Sequence, residues 1–154
     1  FRLRSLLEPA VLQWSVGLDI DALHECVQDG QLAKEAHDHD ATGDANQRFH
    51  AIIVEGAGSA FADEMMTRVL ALMRLLFVQV SDEHNEFHYP YVELNEEILK
   101  LVESGQREQA AEKMRMYLEK SRNESHELLN GPAVTEDAPS ATTDVAGESM
   151  DERS

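Results

Sequence analysis

The chain has 154 residues, 42% of them hydrophobic and 28% charged, which is one ordinary domain with enough apolar content for a buried core. Thirty Asp and Glu stand against thirteen Lys and Arg, a formal charge of −17, so the surface repels phosphate backbones and anionic membrane faces. The one cysteine, Cys26, has no internal disulfide partner, and the longest apolar run, 69–80, is broken by Arg74 and too short to span a bilayer. A cytoplasmic protein with no membrane contact is expected. The chain begins at Phe1 with no basic-then-apolar leader and reads as a segment of a longer protein.

Between residues 1 and 129 the only prolines are Pro9 and Pro90, and no long alternating apolar/polar run occurs, which predicts an all-α fold. A first helix is expected over 4–16, with Leu6, Leu7, Ala10, Val11 and Trp14 on one stripe. Its start moves toward Glu8 if Pro9 is to lie in the first turn. Asp19 reads as the N-cap of a second helix reaching about residue 40, with Ile20, Leu23, Val27 and Leu32 inward. Thr42-Gly43-Asp44 reads as a break, followed by a third helix over 45–55 carrying Phe49, Ile52 and Ile53. A fourth, 60–80, is apolar nearly all round, as in a bundle centre or a dimer interface. Residues 81–89 form a polar connection, Pro90 opens a fifth helix to about 103, and a sixth runs over 106–129 after Ser104-Gly105. From 130 to 154 the composition turns to Ser, Thr, Pro and Gly with six acidic residues and no apolar periodicity, so a disordered acidic tail is expected.

Two histidine clusters stand out, and both have a plain reading. His37 and His39 are two apart and would point to different helix faces, so a solvated helix end explains them. His84 and His88 have the four-residue spacing of a metal-binding helix face, but they precede Tyr89-Pro90, where a helix is disfavoured, and a solvated loop is the simpler reading. No Glu-x-x-His, no zincin helix, no phosphate-cradling Gly loop and no nucleophile elbow occurs, so no catalytic residue and no cofactor is assigned.

One ordered pattern spans most of the chain. Arg4-Ser5-Leu6-Leu7-Glu8 opens it, and Asn46-Gln47-Arg48-Phe49-His50 with Gly58-Ser59 follows. Asn95, Ile98, Val102, Gly105, Ala110, Met114 and Tyr117 then fall in one register. Together these resemble the C-terminal effector-binding (FCD) domain of FadR-type GntR transcriptional regulators over about residues 1–129. The resemblance implies an antiparallel bundle of six to seven helices around a central pocket, a homodimer, and a small-molecule effector. It also implies a DNA-binding winged helix-turn-helix preceding the domain, which these 154 residues do not include.

In metal-binding members of that family one Asp and three His hold a divalent ion at the pocket floor. The matching positions here are Asn46, His50, Asn95 and Tyr117, of which only His50 keeps its identity. Neutral amides are weak ligands for zinc or nickel and a phenol stays protonated at neutral pH, so no metal is expected. All three replacements are nonetheless polar, and a buried unpaired amide costs about 1–3 kcal/mol, which argues for a pocket that still holds something polar. Without a metal, an anionic effector needs another counter-charge. The resemblance puts Arg4 at the effector, and Arg74 and Arg68 on the fourth helix are further candidates. The expectation is therefore a sensor domain taking a small polar metabolite, an organic acid, at Arg4, Asn46, His50, Asn95, Tyr117 and Arg74. The competing readings are a dimerisation module with a non-functional pocket and a small helical enzyme using His50 as base and Tyr117 as proton donor.

Overall fold

The computed structural model of the chain describes residues 1–80 and 86–130. Among them there are six α-helices and no strand: α1 Arg2–Trp14, α2 Ile20–Glu35, α3 His39–Glu55, α4 Ala60–Val80, α5 Tyr89–Glu103 and α6 Arg107–Asn130. The all-helical expectation holds. The acidic tail and His84 lie outside the described residues.

Three boundaries differ from the sequence reading, each for a local reason. Helix α1 starts at Arg2 and carries Pro9 inside it rather than in its first turn. An interior proline removes one backbone hydrogen bond and costs about 3 kcal/mol. Here the turns before it are held by tertiary burial, since Arg4 and Glu8 are both buried and paired at 2.6 Å. Helix α2 stops at Glu35, five residues early. His37 takes a left-handed φ of 55°, with His37 N bonded to Lys34 O and Asp38 N to Ala33 O, the paired bonds of a Schellman ending. Asp38 then caps α3, its Oδ1 accepting from Ala41 N at 2.9 Å. Thr42-Gly43-Asp44 is therefore not a break but part of α3. Gly43 is tolerated there because a ring lies against it: a Cβ would come 3.1 Å from His88 Cδ2.

Helix α3 lies at the middle of the bundle, touching α1, α2, α4 and α5, while α6 packs on α1 and α5. Leu12, Leu23, Phe49, Ile53, Tyr91, Ile98, Met114 and Leu118 form the main core. A smaller apolar cluster, Val54, Met66 and Leu70, seats α4 on α3 with Leu7 of α1. Arg107 of α6 donates to Leu12 O and Ser15 O, both at 3.1 Å, and so closes the C-terminus of α1. The inward stripe of α1 is rotated from the expected one. Arg4, Glu8, Val11 and Leu12 are buried, and Leu6 and Trp14 are each 76% exposed. Leu32, expected inside α2, is also exposed.

Candidate functional site

The centre of the bundle is polar. Asn46 and His50 lie one turn apart on α3, Asn95 comes from α5, Tyr117 from α6, and Arg4 and Glu8 from α1. All six are buried. His50 Nδ1 donates to Glu8 Oε2 at 2.6 Å, and Arg4 Nε donates to the other carboxylate oxygen at 2.6 Å. The phenol oxygen of Tyr117 sits 2.9 Å from His50 Nε2 and 2.8 Å from Asn46 Oδ1. That amide oxygen also accepts from Asn95 Nδ2 at 2.9 Å. Tyr117 has one proton for two neighbours. With His50 neutral it serves Nε2 or Asn46, and with His50 charged it serves Asn46 while receiving from Nε2.

Burial alone would raise the Glu8 carboxyl, but the Arg4 guanidinium and His50 beside it carry it below its ordinary range, so it is ionised at neutral pH. Burial, reinforced by the Arg4 charge, pushes His50 down against the opposing pull of Glu8, which leaves the imidazole neutral. Burial raises the Tyr117 phenol well above its ordinary value, so it keeps its proton.

Two polar atoms of the cluster have no hydrogen-bond partner: Arg4 Nη2 and Asn95 Oδ1. Arg4 Nη1 reaches only the thioether of Met73 on α4, at 3.1 Å. Beside Arg4 is a cavity of about 10 Å³, room for about one water, bordered also by Asn46, His50, Met73, His88 and Tyr117 among others. His88, in the turn before α5, places Nδ1 3.5 Å from Asn46 Nδ2. Burial and the neighbouring His50 lower its pKa to about 4.

Of the residues expected at the site, Arg4, Asn46, His50, Asn95 and Tyr117 come together. Arg74 does not. It is exposed on α4 and paired with Asp44 at 2.5 Å, while Arg68 is exposed and paired with Glu64. The sequence reading left out Glu8 and His88. Glu8 is the i,i+4 partner of Arg4, a spacing that exposed pairs such as Arg68–Glu64 share, so it does not single Glu8 out. His88 lies just before Tyr89-Pro90, where the sequence favours a solvated loop. No signal in the sequence places its ring over Gly43.

The family's four metal positions thus converge, but as a donor set they suit a divalent cation poorly. Asn46 Oδ1 accepts from Asn95 Nδ2, His50 Nδ1 is given to Glu8, and the phenol holds its proton and turns it to either Asn46 Oδ1 or His50 Nε2.

Fold and site together define a helical-bundle domain that encloses a buried, hydrogen-bonded polar centre. The profile of the FCD domain matches residues 1–120, and the chain belongs to that family. A crystal structure from Rhodococcus sp. RHA1, described as that of a GntR transcriptional regulator, superposes with a TM-score of 0.72 at 24% identity. The match covers 84% of this chain and 61% of that one, so this chain spans less than two thirds of its neighbour. At that identity the likeness speaks to the fold. No curated protein sequence matches the chain.

Proposed function

We propose that the chain is the ligand-sensing domain of a GntR-family bacterial transcriptional regulator, and that its central site takes a small organic acid without the divalent metal used by other members. The observation that carries this is Arg4. It is 97% out of solvent, and one of its guanidinium nitrogens has no partner beside a polar cavity. A buried cation with spare donors is a natural anion site. Family membership supports the sensor role, and the donor chemistry at Asn46, Asn95 and Tyr117 supports the absence of metal.

The cavity admits about one water as it stands. Any acid larger than that needs Met73 or His88 to give way, and this displacement is the differential contact by which an effector favours one state of the domain over another. DNA binding belongs to a winged helix-turn-helix of the parent protein, and the protein works in the cytoplasm as a homodimer. The exposed apolar face of α4, with Phe61, Leu72 and Leu75, supports self-association. The enzymic reading gains Glu8 behind His50. It is weakened by a phenol that holds its proton and a cavity that admits no substrate of ordinary size.

The test is a thermal-shift screen of organic acids, sugar acids and amino acids, paired with elemental analysis of the purified chain. A ligand that raises Tm by linkage, with no stoichiometric metal and no effect of chelator, supports the reading. About one metal per chain bound through His50 refutes its metal-free part. A screen with no response at millimolar ligand leaves the dimerisation module as the better account.

A further inference from the structure

A second concavity lies on the outside of the bundle, between α5 and α6, and it differs from the central one in both size and chemistry. Its volume is about 440 Å³, within the range of small-molecule sites. Leu94 and Leu101 on α5 and Met116 on α6 supply its apolar surface, and Met116 is 63% exposed. Gln109, Glu112, Lys113 and Lys120 form the polar edge. Tyr117 is the residue common to both concavities. Its hydroxyl is the one that joins His50 to Asn46.

The charges on the edge are not equivalent. Lys113 is held by Glu97, and Glu112 by Arg115 at 2.8 Å. Among the described residues Lys120 pairs with Glu124, and only loosely: its Nζ stands 3.7 Å from Oε1, beyond hydrogen bonding, while Oε2 of the same carboxylate accepts the Tyr91 hydroxyl. Lys120 lies over the Tyr91 ring, 5.4 Å from its centroid, and borders the groove. In a chain of formal charge −17, a cation held by no close carboxylate among the described residues, beside an apolar trough, is a selective feature.

We propose that this α5/α6 groove binds an amphipathic monocarboxylate, its apolar body lying along Leu94, Leu101 and Met116 against the Tyr117 ring and its carboxylate on Lys120. This goes beyond the sensor reading and does not depend on it. The central cavity has room for about one water, whereas the groove accommodates a medium-length acyl chain or an aryl acid without rearrangement. Since Tyr117 borders both, occupancy of the groove would be felt at the residue that bonds His50 and Asn46.

The full chain, labelled with 13C at the methionine methyls, reports on both places at once, because Met116 borders the groove and Met73 the central cavity. The probe is sodium octanoate, with octan-1-ol as the uncharged control. The expected result is a saturable shift of the Met116 signal with octanoate. Lys120→Gln should weaken that binding about two- to fivefold, the range of a half-exposed ion pair, and leave octanol unchanged. Met116→Glu, at a position too exposed to disturb folding, should abolish saturation. A response of Met73 without Met116 would place the acid in the central cavity and overturn this proposal while upholding the sensor reading. No saturable response at either methyl overturns it outright. Equal binding of octanoate by the parent chain and Lys120→Gln overturns the assignment of a carboxylate.

Discussion

The centre of the bundle and the outer face of α4 invert the usual distribution of polarity. At the centre, where apolar fill is expected, Arg4, Glu8, Asn46, His50, Asn95 and Tyr117 are buried together. On α4, where polar residues are expected, Phe61, Leu72 and Leu75 are 63% exposed or more. Each departure has an energetic cost that folding of this chain alone does not need. Buried charges are tolerated only when paired, and exposed apolar side chains forgo the stabilisation of burial. The difference is that the centre satisfies itself within the chain, through Glu8 between Arg4 and His50, whereas nothing among the described residues covers the α4 face. The first is a feature of the folded domain, and the second points outward to another molecule.

The largest effect should come from breaking the centre at its anion. Glu8→Ala strands Arg4 beside His50 and should destabilise the domain by about 3–5 kcal/mol in urea denaturation. The double substitution Arg4→Met/Glu8→Leu removes both charges and should recover most of that loss. A single variant as stable as the parent would show that the pair is not buried as described.

Acid should find the same region through His88. Its folded pKa of about 4 is below the ordinary 6.5, so below pH 6.5 the unfolded chain binds a proton that the folded one refuses. Stability is therefore fully present above about 6.5 and falls as the pH drops toward 4, by up to about 3 kcal/mol. Denaturation midpoints of the parent and of His88→Gln across this window check it, and the variant should show the shallower slope. The depressed Glu8 carboxyl adds a further loss below the ordinary carboxylate range.

Tyr117→Phe removes the hydroxyl shared by His50 and Asn46 while keeping the ring, and should cost about 1–3 kcal/mol. Restoring Asn46→Asp, Asn95→His and Tyr117→His together should create a zinc site if the frame positions these residues as it does now, read by metal titration. The smallest effect on folding, and the sharpest contrast, belongs to α4. Leu72→Glu/Leu75→Glu should leave the unfolding free energy of the monomer within about 0.5 kcal/mol, since both side chains are exposed in the single chain. It should nonetheless convert a dimer to a monomer by light scattering. A parent chain already monomeric at tens of micromolar would remove the case for that face as an interface.

The sequence by itself determined the helical class, the Asp19 cap, the extent of α4 and the turn at Gly105, and its resemblance to the family implied that Asn46, His50, Asn95 and Tyr117 meet. These follow from local periodicity, from capping chemistry and from an ordered set of residue types, all of which are written along the chain. Only the tertiary structure decided which face of α1 turns inward, because polarity alone sends Arg4 and Glu8 to solvent and Leu6 and Trp14 to the core. What reverses that choice is His50, 42 residues from Glu8 and aligned with it only once α1 packs on α3. The same holds for Gly43, a break by sequence and a helical seat for His88 in the fold, and for Arg74, which finds Asp44 at the surface rather than the site. A charged or glycine residue takes its place from the partner that approaches it, and that partner comes from another helix.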